Sequence, residues 1–426
     1  MLRIPRLVGP IRRTWQVPGS KSITNRALLL AALGEGTSVI ENVLDSDDTR
    51  RMREGLQAMG IRISEGAPGQ LLVEGGRSRL RAAAEPIFVG NSGTTVRFLA
   101  AAAVLVPGQT TFVGDEAMAR RPIADLVDGL RQLGVTVDCS SGCPPLTVYG
   151  GQLRGGSITM RGDKSSQYLT AVLLVAGLAE QPLDLTIEGK LVSKPYIEMT
   201  RRMVADFGGL IEETRGGFRA RRCSAYRARG YRVEPDASSA SYPFALAACG
   251  HDITVPDLGT RSLQGDHAFV DLLKHMGATV EAGAVITRVV GAGDLAGIDC
   301  DMHHISDTVM TMAAIAPLVD GPTTIRNVAN IRIKECDRLM AMVNELRRLG
   351  QEIEHGEDWL RIIPRAVVPA TVECYNDHRI AMSFGVLGAL TGSVAIADPD
   401  CVGKTYPGFW DDLRACYGTS AWPRPV

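Results

Sequence analysis

Six glycines set the frame of this 426-residue chain: Gly60, Gly134, Gly208, Gly277, Gly350 and Gly418. Each closes an amphipathic stretch with a polar or proline start. Most of them lead into a strand-like run, such as Ile61-Arg62-Ile63 or Val135-Thr136-Val137. They follow one another at 74, 74, 69, 73 and 68 residues. A helix that ends on a left-handed glycine satisfies its last carbonyls without a Cβ clash. One such glycine says little, because helix C-caps are common. Six at a near-constant spacing point to an internally duplicated fold.

Between the amphipathic stretches lie others that are apolar all round: Ala27 to Leu33, Thr95 to Val106, Leu169 to Ala179, Ala240 to Cys249 and Val309 to Leu318. A helix without a polar face is buried on every side. Each repeat therefore pairs one inner helix with one outer helix, with strands between them. The class is α/β, in two lobes of three repeats. The boundary falls near residues 233–241, halfway along the repeat. The first lobe is expected over residues 18–235, and the second over 236–426 together with 1–17.

Hydrophobic residues make up 45% and charged residues 22% of the chain, the balance of an ordinary soluble protein. A net charge of −1 excludes a general pull toward nucleic acid. The longest apolar runs, Phe98 to Val106 and Ala171 to Ala179, fall far short of the roughly 20 residues that span a bilayer. The first residues carry no apolar signal-peptide core, so none is expected. Nine cysteines at loose spacing fit a reduced, cytoplasmic protein; Cys139 and Cys143, four apart, are a weak metal hint.

The chemistry gathers at helix starts. Pro18-Gly19-Ser20-Lys21-Ser22-Ile23-Thr24-Asn25-Arg26 runs into the first inner helix. Helix N-terminal N–H groups and hydroxyls face an anion, and the two cations balance its charge. A nucleotide P-loop is excluded, because glycines would have to stand at Trp15 and Ser20. Gly90-Asn91-Ser92-Gly93-Thr94-Thr95-Val96-Arg97 opens the second inner helix, Gly162 to Tyr168 the third, and Asp236 to Ser241 the fourth. Singly, such strings are more often plain N-caps. Capping accounts for one or two hydroxyls, but not for cations, hydroxyls and glycines together at successive starts. The second lobe adds Asn330 to Arg338, Asn376 to Arg379, and Gly403 to Pro407. If the first of these is helical, Lys334 and Arg338 are i,i+4 neighbours, and such strings usually form a solvated ion-pair face. His378 taken alone reads as a satisfied structural histidine.

Together these segments resemble one family. Lys21-Ser22 with Arg26, the Asn91 to Thr94 loop, Arg121-Pro122, Ser165-Ser166-Gln167, Ser193 to Tyr196, Asp307, Asn330 to Arg338, Asn376 to Arg379 and Lys404 match the 5-enolpyruvylshikimate-3-phosphate synthases in order, over essentially the whole chain. The resemblance implies an inside-out α/β barrel of six βαβαββ repeats, three per lobe, with the active site in the cleft between the lobes. It implies enolpyruvyl transfer from phosphoenolpyruvate to the 5-hydroxyl of shikimate 3-phosphate, through a tetrahedral intermediate. No metal or organic cofactor is implied.

The implied shikimate 3-phosphate residues are Lys21, Ser22, Arg26, Ser165, Ser166, Gln167, Ser193, Tyr196, Asp307, Asn330 and Lys334. Those implied for phosphoenolpyruvate are Lys21, Asn91, Gly93, Thr94, Arg121, Gln167, Glu335, Arg338, His378, Arg379 and Lys404. Asp307 is the implied base for the 5-hydroxyl, and Glu335 and Lys21 the implied carriers of the C3 proton. Asp48 is a further candidate. Ligands drawn from both lobes imply closure on binding.

The resemblance also implies a monomer and inhibition by glyphosate, for which Gly93 matches the sensitive type. Phe98 departs from the proline common there. The sister transferase acting on UDP-N-acetylglucosamine typically has a reactive cysteine in the loop that here runs from Asp115 to Pro122, and none stands there. A non-catalytic relative would be expected to lose Asp307, Glu335 or Lys21, and all three are present.

Overall fold

The computed structural model describes residues 1–291, 294–418 and 422. The chain forms two compact units, Gly19–Glu234 and Met1–Pro18 with Pro235–Val426. Among the described residues, twelve α-helices alternate between two kinds. The first unit holds α1 (Lys21–Leu33), α2 (Asp47–Ala58), α3 (Gly93–Ala103), α4 (Ala124–Gln132), α5 (Ser166–Ala176) and α6 (Lys194–Asp206). The second holds α7 (Ala237–Ala248), α8 (Phe269–Met276), α9 (Val309–Ile315), α10 (Arg338–Arg348), α11 (His378–Thr391) and α12 (Phe409–Arg414).

Every residue of α3, α7 and α9 is buried, as their apolar sequences require. The odd-numbered helices form the core of each unit: α1, α3 and α5 pack on one another, and so do α7, α9 and α11. The even-numbered helices bury one stripe and leave the other face wet, as the polar residues of α2 and α10 show. The strands alternate likewise, for example Leu71 and Val73 inward beside less buried Leu72 and Glu74.

The repeat is βαβαββ. In the third, strands Gly156–Arg161 and Leu183–Glu188 pair in parallel, the latter pairs antiparallel with Gly217–Arg221, and that strand pairs with Leu210–Thr214. The same order recurs in the second and fifth repeats. The first repeat takes its leading strands from Tyr226–Arg227 and Gly230–Arg232, which pair with Gly34–Glu41. The fourth takes its own from Arg12–Thr14, beside Asp252–Pro256. The sixth is completed by Leu2–Arg3 on Val394–Ile396.

All six spacing glycines have positive φ. Five of them close a helix by the same pattern, in which the next residue donates back five positions: Ile61 to Leu56, Val135 to Leu130, Gly209 to Val204, Ala278 to Leu273 and Gln351 to Leu346. The corresponding donor after Gly418 lies outside the described residues. Gly75 and Gly150 hold equivalent places in two repeats. A Cβ on either would collide with the Ala31 or Ala103 carbonyl of the inner helix beneath.

Two readings need correction. Lys334 and Arg338 do not share a helix: a 3₁₀ turn ends at Ile333, and Asp337 caps α10 by accepting Met340 N–H at 3.0 Å. Nor is that segment a solvated face, since Arg338 is 1% exposed.

Candidate functional site

In the first unit three helix starts converge. Ser20 caps α1, which leaves Lys21 and Ser22 in its first turn. Lys21 Nζ lies 3.4 Å from Asp48 Oδ2, and both side chains are largely buried. Asp48 sits in the first turn of α2, where the helix dipole favours a carboxylate. Thr95 Oγ1 donates to the Asp48 carbonyl at 3.2 Å, which joins the start of α3 to that of α2.

Gly93 is the first residue of α3. A Cβ there would meet Arg97 Nη1, and would lie 2.6 Å from Arg121 Nη2. The bare glycine lets two guanidiniums crowd one helix start. Arg121 Nη1 donates to both the Asn91 carbonyl and its Oδ1 at 3.0 Å, which pins the loop. Arg121 Nε is buried with no hydrogen-bond partner among the described residues. Arg97 donates to Gln167 Oε1 at 2.8 Å and to the Pro122 carbonyl at 3.2 Å, and it stacks over Tyr168. Thr94 is buried beside them. Ser165 caps α5, which puts Ser166 and Gln167 in its first turn.

Arg26 is buried under these residues. Its partners are all neutral: Thr200 Oγ1 at 2.9 Å, the Ser22 carbonyl at 2.8 Å, Thr170 Oγ1 at 3.5 Å and the Tyr196 carbonyl at 3.4 Å. Desolvation lowers its guanidinium to about 10. Phe98 has a physical role here, since Arg26 lies over its ring at 5.3 Å. Ser193, which precedes α6, is held left-handed at φ 52°, a conformation unusual for serine.

The second unit builds a charge network. Asp307 receives Arg379 Nη2 at 2.9 Å and Arg338 Nη1 at 3.3 Å, with Lys334 Nζ at 3.7 Å. Arg338 also holds Glu335 at 2.7 Å and grips Asp377 with two nitrogens, at 2.7 and 3.2 Å. Burial alone would lower the Arg338 guanidinium, but Asp377, Glu335 and Asp307 together hold it above its usual value. Burial lowers Lys334, against the pull of Asp307. Asn330 donates to Ser306 Oγ at 3.0 Å, and its Oδ1 is without a partner among the described residues. His378 is fully buried at the start of α11, its Nδ1 3.7 Å from Asp377 Oδ1. Lys404, also buried, ends the 3₁₀ turn Pro399–Lys404.

Three residues were given no site role from sequence, although Arg97 and Asp377 stand in strings already singled out. Arg97 follows Gly93 by four positions and so shares its helix face, a spacing that could have signalled it. Asp377 is a helix N-cap, accepting Arg379 N–H at 2.9 Å, and at the same time the main anchor of Arg338. Asp266 accepts from Ser238 Oγ. Desolvation, then the charge of Asp307, push its carboxyl up to about 7. Nothing in the Gln264-Gly265-Asp266 string announces that. Among the described residues, no His, Cys, Asp and Glu side chains group as metal ligands.

A family model described as EPSP synthase (3-phosphoshikimate 1-carboxyvinyltransferase) matches residues 6–413. Curated relatives named 3-phosphoshikimate 1-carboxyvinyltransferase include one from Serratia proteamaculans, 44% identical over 416 residues that cover 95% of this chain and 96% of the relative. One from a Nostoc species is 42% identical over 414 residues, covering 96% and 97%. Among solved structures, an EPSP synthase from Acinetobacter baumannii matches with a TM-score of 0.81 over 97% of both chains, at 25% identity. Matches that run almost end to end at such identity leave one conclusion: the chain belongs to the EPSP synthase family.

Proposed function

We propose that the chain transfers the enolpyruvyl group of phosphoenolpyruvate to the 5-hydroxyl of shikimate 3-phosphate, with release of phosphate. Family membership supports this reaction, and the comparisons do not favour the UDP-N-acetylglucosamine transferase. The observation that carries it at the level of chemistry is that both units set largely buried cations beside a carboxylate: Lys21 with Asp48, and Lys334, Arg338 and Arg379 with Asp307. Both substrates carry a phosphate and a carboxylate. Bringing such anions together requires cations held in place beforehand.

The roles are assigned by the resemblance to the family. Ser22, Ser165, Ser166, Gln167, Ser193 and Tyr196, with Arg26 beneath, take shikimate 3-phosphate, aided by Asn330 and Lys334. Arg26 has neutral hydrogen-bond partners only, so an anion relieves its desolvation. Asn91, Gly93, Thr94, Arg121, Gln167, Arg338, His378, Arg379 and Lys404 take phosphoenolpyruvate. Asp307 accepts the proton of the 5-hydroxyl as it adds to C2, where positive charge develops that a carboxylate stabilises. Glu335 and Lys21 deliver the C3 proton, then remove it as phosphate leaves. The reaction thus draws on groups of both units, in a protein that acts as a monomer in the cytoplasm.

Glyphosate, as an anionic competitor, would use the phosphoenolpyruvate groups, among them the Arg121 guanidinium that the bare Gly93 admits to the start of α3. Addition followed by elimination makes C3 transiently a methyl group. Turnover in heavy water should therefore place deuterium at the vinyl carbon of the product, by NMR or mass spectrometry. Product free of solvent deuterium would contradict the mechanism.

A further inference from the structure

Two thiols bracket the turns that present Asp377–Arg379 and Lys404. Strands Ala370–Val372 and Val394–Ile396 pair in parallel, and Ala397 N–H donates to the Val372 carbonyl at 3.0 Å. The chain therefore leaves both strands side by side. Cys374 and Cys401 lie just beyond, close enough that each thiol shifts the ionisation of the other. Cys374 is buried, whereas Cys401 is partly exposed and donates to the Asp398 carbonyl at 3.1 Å.

Each thiol is wired to a site residue. The Cys374 carbonyl accepts Asp377 N–H at 2.8 Å across a tight turn whose central residues, Tyr375 and Asn376, are left-handed at φ 53° and 52°. Asp377 then anchors Arg338. Cys401 lies in the 3₁₀ turn that ends in Lys404. A third thiol, Cys336, is engaged by Asp377 Oδ2 at 3.5 Å. The neighbouring Cys401 thiol favours the thiolate of Cys374 over the opposing desolvation, so Cys374 titrates below an ordinary cysteine and Cys401 above. A thiolate is the form that reacts.

We propose that Cys374 and Cys401 form a reversible disulfide on exposure to a peroxide, and that this bond pulls the Asp377 turn out of its working position. Peroxide arrives from the partly exposed Cys401 side. The Cys374 thiolate attacks one peroxide oxygen: the S–O bond forms, the O–O bond breaks, and the departing hydroxide takes up the proton that Cys374 gave up and leaves as water. The Cys401 sulfur then attacks the sulfenic sulfur: S–S forms, S–O breaks, and the second water leaves with the Cys401 proton. Two thiols are oxidised and one peroxide is reduced to two waters. A thiol reductant reverses the step by exchange.

The test treats the intact protein with hydrogen peroxide and maps its peptides without reduction. The expected result is a single linked pair, Cys374 with Cys401, with the mass lowered by two hydrogens. That readout is independent of the proposed reaction; the switching half rests on it. On that reading, kcat/KM falls roughly 10- to 100-fold, the scale of a small misplacement of site groups, and dithiothreitol restores it. Cys401→Ser and Cys374→Ser should keep basal activity and resist peroxide. A link elsewhere, such as Cys139 with Cys143, or sulfinic acid without a link, would overturn the pairing. A linked protein of full activity, or Cys401→Ser losing activity as fast as the parent, would overturn the switch.

Discussion

Gly93 shows how much one missing atom can decide. Its α-hydrogen faces Arg97 and Arg121, and Gly93→Ala would have to displace at least one guanidinium. The expected result is a rise of roughly 10-fold or more in the KM for phosphoenolpyruvate, a loss of about 1.4 kcal/mol or more, with a smaller change in kcat. Any inhibition by glyphosate should weaken with it. Steady-state kinetics checks this, and an unchanged KM would show that the arginines do not take that substrate.

Asp307 is the complementary case. Asp307→Ala should cut kcat by roughly 10²- to 10⁴-fold, the usual worth of a positioned acid or base. The urea midpoint should move little, because Arg338 keeps Asp377 and Glu335 as partners. A near-normal rate would remove Asp307 from the mechanism. The sequence announced Gly93 through the string around it, and Asp307 only through the family resemblance. It left Arg97 and Asp377 without a role, because an arginine in an apolar helix and an aspartate before one each have a plain structural reading. Only the fold shows Arg97 reaching Gln167, and Asp377 reaching Arg338 from 39 residues away.

At the level of elements, inner helices carry their chemistry on their first turns. Ser20, Ser92, Ser165, Asp236 and Asp377 each accept a backbone N–H at a helix start. Capping and ligand binding are thus not rival uses of these segments, because a capped start holds the next residues in place. The short turn Gly265–Ala268 before α8 is different: it buries Asp266 against Ser238 of α7, with Asp236, Asp307 and Arg379 nearby. An acid raised to about 7 in the folded chain keeps its proton where the unfolded chain, near pH 4, has lost it. Between about pH 4 and 7 the folded state binds more protons, so this group's stabilisation is complete below that window and is lost as pH rises through it. Asp266→Asn should flatten that dependence. Urea midpoints of parent and variant across pH 4 to 8 test it, and parallel curves would contradict it. The start of α10 was misjudged from sequence because spacing alone cannot distinguish Asp337 as a cap from Asp337 as a helical residue. Lys334 meets Arg338 through Asp307 instead of along a helix face.

On the scale of the whole chain, periodicity was the most legible feature. Six glycines foretold six repeats, and the all-apolar segments foretold which helices lie inside. The borrowed strands were less visible: residues 12–14 and 226–232 complete sheets begun far away in sequence, and pairing across such separations leaves no local pattern. The unit Gly19–Glu234 is continuous in sequence and has its own three-helix core. Expressed alone, it should unfold cooperatively by circular dichroism yet release no phosphate, since Asp307 and Glu335 belong to the other unit. Turnover by the fragment would contradict the division of labour.

The most direct test of the central claim is phosphorus NMR of the intact protein with shikimate 3-phosphate and phosphoenolpyruvate. Enolpyruvyl transfer predicts loss of the phosphoenolpyruvate signal, matched by equal growth of inorganic phosphate and by a shifted 3-phosphate signal from the enolpyruvyl product. No phosphate release from this pair, or release only when UDP-N-acetylglucosamine replaces shikimate 3-phosphate, would contradict it.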